Sequence, residues 1–211
     1  MAIPRLMLVT DRYATRWRDL AEIVAAAVAG GVDAVQVREK DLSDNELLAL
    51  TLRIQKAVAG KAAVLVNGRP LVARATKAGL HLPGDFPTLP ADDWPLWGRS
   101  VHSVEEACRR AEERPDYLLL GTIFQTTSKP DHAGSGLELV RETVRALPSL
   151  PLIAIGGIDA NNARSVIEAG ASGVAVRSAI LEALDPKKAT ECIYASLIIP
   201  KIGSKPNNYE E

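Results

Sequence analysis

The chain has 211 residues, 47% hydrophobic and 24% charged, and its 25 Lys and Arg against 26 Asp and Glu give a net charge of -1. That apolar share excludes a disordered chain, and the charge balance excludes a global attraction to nucleic acid or anionic lipid. Two cysteines, Cys108 and Cys192, exclude a disulfide scaffold and a four-cysteine zinc site.

Met1–Thr10 is too short, and too interrupted by Pro4 and Arg5, for a signal peptide. No run of about 18 apolar residues marks a membrane span. The expectation is a cytoplasmic protein with no membrane and no nucleic-acid partner. Short apolar runs then predict strands at Arg5–Thr10, Asp33–Arg38, Ala62–Asn67, Gly79–Leu82, Gly98–His102, Asp116–Gly121, Leu152–Gly156 and Gly173–Val176. Amphipathic stretches between them predict helices, among them Asp19–Ala29, Ser43–Ala59, Val104–Glu113, Leu137–Leu147 and Asn161–Ala169.

Local chemistry supports these boundaries. Asp41 and Ser43 are acceptors for the free amides that open the second helix, and Glu46 completes a capping box with Ser43. Gly30, Gly31 and Gly170 supply the positive φ that ends helices. The strands are continuous apolar runs, as expected where helices cover one face and a core fills the other. Cys108 reads as a packing residue of its helix. Trp94 and Trp97 read as packing between a loop and the fifth strand.

Eight strand–helix units in about 200 residues predict a single-domain (β/α)8 TIM barrel. An open doubly wound sheet is the alternative, and the lack of a GxGxxG after the first strand counts against it. The barrel is expected over residues 1–199, with 200–211 as a flexible polar tail. Arg12–Arg18 is a polar first loop suited to covering the barrel mouth.

A barrel carries its chemistry on the loops that follow the strands. In the second strand, alternation turns Gln36, Arg38 and Lys40 inward, where two cations are costly unless an anion meets them. The bland alternative is a salt bridge to Glu39 or Asp41. Asn67 ends the third strand as a neutral donor into the site, or as a plain turn residue before Gly68. The sixth strand enters a long polar loop that carries Thr122, Thr126, Ser128, Lys129 and His132, suited to closing over a phosphorylated ligand. Gly156 and Gly157 after strand seven, and Ser178 opening a helix after strand eight, form the usual barrel phosphate site. Arg177 adds a cation there, although alternation points it outward. His81 and His102 read first as hydrogen-bonded structural groups. His132, in the loop, is the best-placed base. No two histidines have the spacing of a zinc site.

These segments, in this order, resemble the thiamine-phosphate synthase and TenI-like thiazole tautomerase superfamily. The matching stretches are QVREK (Gln36–Lys40), VNGR (Val66–Arg69), GLHLP (Gly79–Pro83), GRSVHSVEEA (Gly98–Ala107), DYLLLGTIFQTTSKP (Asp116–Pro130), IAIGGI (Ile153–Ile158) and GVAVRSAI (Gly173–Ile180). The resemblance implies the (β/α)8 barrel and a phosphorylated thiazole or thiamine phosphate as small-molecule partner. The synthase joins a pyrimidine pyrophosphate to a thiazole phosphate, using Mg²⁺. For that activity the resemblance implies one Asp directly after Asn67 and another a few residues beyond His81. Here those positions are Gly68 and Phe86, with Asp85 one residue off.

The NGR and HLP wording looks closer to the TenI branch, so the leading expectation is a metal-independent thiazole tautomerase with no cofactor. In that branch the catalytic His follows the glycine that ends strand six. Here the position is Thr122, and His132 is the candidate replacement base. Arg38, Lys40, Asn67 and Lys129 match positions that hold pyrophosphate in the synthase. The runner-up is therefore the Mg²⁺-dependent thiamine-phosphate synthase. The third reading is a non-catalytic regulator that binds thiamine phosphate or a precursor. A homodimer is compatible with a small barrel, and no motif demonstrates one.

Overall fold

The computed structural model describes residues 2–89, 93–126 and 133–198. All eight expected strands form: β1 (Leu6–Val9), β2 (Ala34–Val37), β3 (Ala63–Asn67), β4 (Gly79–Leu82), β5 (Trp97–Val101), β6 (Tyr117–Gly121), β7 (Leu152–Ile155) and β8 (Gly173–Val176). They pair in parallel in chain order, and β1 closes on β8 with Leu6 opposite Val174. Closure excludes the open-sheet alternative and leaves no strand edge exposed. The helices are α1 (Leu20–Ala29), α2 (Asp44–Val58), α3 (Pro70–Thr76), α4 (Val104–Ala111), α5 (Gly136–Ala146), α6 (Ala163–Glu168), α7 (Ser178–Leu181) and α8 (Pro186–Leu197).

Side-chain alternation divides the core into two layers. Leu6 and Leu8 of β1 pack outward against the helices, whereas Met7 and Val9 join Leu65, Tyr117, Leu119 and Ile153 inside the barrel. Each such fully buried aliphatic side chain contributes about 1.5–3 kcal/mol. Tyr117 fills the inner layer only because its neighbour is Gly98: a Cβ there would lie 2.2 Å from the ring.

The second helix opens with the expected capping box, in which Ser43 Oγ accepts from the Glu46 amide and the Ser43 amide donates to Glu46. Asp41 is not a cap. Its carboxylate is taken by Arg12 and Tyr13, which form a stronger charged contact across the loops. Gly31 and Gly170 take positive φ of 119° and 108°, but Gly30 stays at −90° and is needed instead because Lys187 and Thr190 of α8 crowd it. Residues 12–18 do not cover the barrel mouth. Arg12–Thr15 forms a 3-10 turn bound to Glu39 and Asp41, and Arg18 reaches the carbonyls of Leu181 and Ala183 beside α7. Cys108 is exposed on α4 rather than packed. Trp97 lies in β5 itself, and Trp94 packs against the outer core.

The helices α3 and α8 are the elements passed over by a reading based on apolar runs. Both open with a proline in the first turn, where its missing N–H costs nothing, and Asp185 caps α8 by accepting from the Lys188 amide. Among the described residues, the β4–β5 connection carries no helix. The proposed tail at 200–211 lies outside the described residues.

Candidate active site

The carboxyl ends of the strands surround a cavity of about 1270 Å³. Pockets for one small ligand usually span about 300–1,000 Å³, and this cavity exceeds that range. Gln36, Arg38, Lys40, Asn67, Thr122, Thr126, Gly156, Gly157, Arg177 and Ser178 all line it. The strand-end rule thus brings ten of the thirteen expected residues to one place. Ser128, Lys129 and His132 lie outside the described residues.

Gln36 is buried on the inner face of β2, against Met7. Arg38 follows it half-buried, and burial, with the nearby charge of Arg177, pushes its guanidinium below its ordinary value. The salt bridge that would make Arg38 structural does not form. Glu39 points the other way, accepting from Thr10 Oγ1 at 2.7 Å and pairing with Arg12 at 3.2 Å, and Asp41 also belongs to Arg12. Neither Arg38 nor Lys40 has an ion-pair partner among the described residues. Asn67 ends β3 opposite His81, and Gly68 turns the chain there with φ of 64°.

A second cluster is built from backbone. Gly156 and Gly157 hold φ of 111° and 63°, and a Cβ on either would lie 2.5 Å from the loop after β6, at Thr122 Cγ2 and at the Gln125 carbonyl respectively. Only glycine permits that approach. The amides of Gly157, Ser178 and Ala179 donate to no protein group among the described residues. Arg177 does not point outward. It lies past the end of β8, where strand alternation no longer applies, and its Nη1 donates to Asp11 at 3.0 Å while it lines the cavity.

The histidines divide as their surroundings dictate. His81 is fully buried between Tyr117 Oη at 2.9 Å and Ser100 Oγ at 2.8 Å. Burial first, then the charges of Arg38 and Arg99, push it down to about 3, so it is neutral at pH 7. His102 lines the cavity and donates from Nδ1 to the Gly121 carbonyl, which leaves Nε2 as its acceptor. Ser100, Glu106 and Arg109 also line the cavity and were not picked from the sequence. Alternation along GRSVH would have found Ser100, since Gly98 points inward.

The carboxylates bear on a divalent cation. At the two positions where the synthase resemblance places Asp, the chain has Gly68, which turns against Pro83, and Phe86, which packs on the outer core. Asp85 is exposed and lines the cavity. Glu106 is partly engaged, accepting the His102 amide at 2.8 Å. Among the described residues no group of three or more His, Cys, Asp or Glu is placed to hold a metal. This donor set does not fit an all-protein cage. It fits a magnesium ion that takes one carboxylate and otherwise keeps water and substrate oxygens.

Residues 6–180 match the family model described as thiamine monophosphate synthase. The chain belongs to that family. A thiamine-phosphate synthase of Albidiferax ferrireducens is 44% identical over 192 residues, covering 86% of both chains. One from Clostridium tetani is 35% identical over 88% of this chain and 92% of its own length. In structure, the thiamine phosphate pyrophosphorylase of Pyrococcus furiosus superposes with a TM-score of 0.81 at 33% identity, covering 92% of this chain and 95% of that one. These findings overturn the expected tautomerase. Relatives that are 35–44% identical along most of the chain are named for the synthase. The tautomerase expectation weighed the missing carboxylates at Gly68 and Phe86 too heavily, because a magnesium ion needs few protein donors.

Proposed function

We propose that the chain is a thiamine-phosphate synthase, a transferase that joins a pyrimidine pyrophosphate to a thiazole phosphate and releases pyrophosphate. One observation carries this reading: a single cavity is lined by two separate groups of residues that suit anions. One is the cations Arg38 and Lys40 beside Asn67, without an ion-pair partner among the described residues. The other is the amides of Gly157, Ser178 and Ala179, which donate to no protein group among the described residues. A thiazole monophosphate suits the backbone site, where amides and a helix start meet a compact anion. A pyrophosphate suits the guanidinium and ammonium, which meet the charge that grows on a departing group.

The chemistry also accounts for Thr122. In the transfer, the bond from the pyrimidine-bearing carbon to the pyrophosphate oxygen breaks as a bond to the thiazole nitrogen forms. That nitrogen has its own lone pair, so no base is required at position 122. Thr122 and Thr126 offer hydroxyls to bound phosphate oxygens. Magnesium, when bound, would neutralise charge on the pyrophosphate, and Asp85 is the residue that would hold it.

Incubation with both substrates and Mg²⁺ tests the reading. Thiamine phosphate and pyrophosphate are expected in equal amounts. Absence of product, with both substrates bound, would refute it.

A further inference from the structure

The β4–β5 connection, which lacks a helix among the described residues, lies over an unusual buried group. Arg99 of β5 points away from the barrel interior and is fully buried. Its Nη2 donates to the carbonyls of Gly84, at 3.4 Å, and Phe86. Arg110 of α4 donates to the same Gly84 carbonyl and, at 2.6 Å, to Glu113. Glu113 accepts from Thr88 Oγ1 at 2.8 Å and stands 3.5 Å from Arg99 Nη1. Two guanidinium groups and a carboxylate thus grip the segment from residue 84 to residue 88.

The two carbonyls held by Arg99 flank one residue on either side, and that residue is Asp85. It is the cavity-lining carboxylate of this connection. The grip is not an efficient source of stability. Arg99 Nε and Nη1, Arg110 Nε and Glu113 Oε2 are buried without a hydrogen-bond partner among the described residues. An apolar side chain of similar volume commonly stabilises such a site as well or better. What the guanidinium does, and an apolar group does not, is tie two carbonyls to one nitrogen, Nη2, in a fixed geometry.

We propose that Arg99 is a positioning residue that sets Asp85 at the rim of the cavity, where a pyrophosphate-bound divalent cation would meet it. The proposal rests on the synthase reading given above. It explains how one carboxylate serves where the resemblance implies two: its backbone is braced from both sides.

The test is a double-mutant cycle on the full-length protein, using Mn²⁺ with inorganic pyrophosphate as the probe and hydrogen exchange as a second readout. Asp85→Asn is expected to weaken manganese pyrophosphate binding about tenfold, and Arg99→Met to weaken it by a similar factor. The double variant should be no weaker than Asp85→Asn alone. In Arg99→Met, exchange of the Phe86 amide, which donates to the Pro83 carbonyl at 3.1 Å, should rise at least about tenfold while the β6 and β7 amides keep their protection. Arg99→Lys keeps a charged nitrogen donor but places it on a shorter side chain without the rigid guanidinium plane. It should fall between the parent and Arg99→Met, and it replaces Arg99→Met if that variant does not fold. Effects that multiply in the double variant, or unchanged exchange at the Phe86 amide, would overturn the proposal. If the unaltered protein fails to bind manganese pyrophosphate, the synthase reading falls and Asp85's task with it, a result distinct from binding with a multiplicative cycle.

Discussion

The two ends of the cavity are made of different materials. At β7 and β8 the proposed binding surface is main chain: two glycines at positive φ and the first amides of α7. At β2, β3 and β4 it is side chain: Arg38, Lys40, Asn67 and Asp85. A backbone site is fixed by packing, because Gly156 and Gly157 lie against the loop after β6 with no room for a Cβ. A side-chain site is fixed residue by residue, so a carboxylate can be lost at Gly68 or Phe86 while the barrel stays intact. Substitutions should therefore act on fold and function together at the first end, and on function alone at the second.

The largest effect is expected at Gly156. Gly156→Ala puts a Cβ 2.5 Å from Thr122 Cγ2 at a φ of 111°. Strain and overpacking together should cost about 2–5 kcal/mol in urea denaturation, with loss of transfer. Arg38→Met breaks the comparison from the other side. It should lower the rate of transfer by about 100- to 1000-fold. The melting temperature should hold or rise, since a half-buried unpaired charge is removed. A large drop in stability would show that Arg38 is structural after all.

Gly68→Asp sharpens the same contrast. It restores a carboxylate at a φ of 64°, a conformation Asp tolerates better than most residues. Mn²⁺ affinity measured with pyrophosphate should rise on the order of tenfold, at a cost of about 1 kcal/mol in stability.

The effect with the least bearing on catalysis near neutral pH concerns His81, which belongs to neither end. Its folded value is lowered from 6.5 to about 3, mainly by burial. The unfolded chain therefore binds the proton first as pH falls. The stability that His81 gives is full above pH 6.5 and declines toward pH 3. Urea melts should lose on the order of 1 kcal/mol per pH unit through that window. His81→Asn should flatten this slope, and the transfer rate between pH 7 and 8 should show no titration from His81.

What the sequence discloses follows from the range of the forces involved. The barrel was legible because closure needs only eight apolar runs of strand length, and each run is local. Gln36, Arg38 and Lys40 were legible because strand alternation fixes which way they face. Arg177 was misread because it lies one residue past β8, where alternation ends. The helices α3 and α8 carry their signal in a first-turn proline, with a capping Asp185 before α8, rather than in an apolar run. The brace on the β4–β5 connection was not legible at all. Arg99 meets Gly84 and Phe86 only because β4 and β5 are adjacent in the barrel, and Glu113 reaches them from the end of α4. The choice between activities failed for a different reason. It turned on counting carboxylates in sequence, whereas the cation requirement depends on how many donors the substrate itself supplies.

Calorimetric titration of pyrophosphate with Mg²⁺ into protein already saturated with thiazole phosphate tests the two-site cavity most directly. The account predicts one pyrophosphate bound per chain, with an affinity equal to or tighter than that of the free protein. Displacement of the thiazole phosphate by pyrophosphate would mean that the two anions share a single site, and would contradict it.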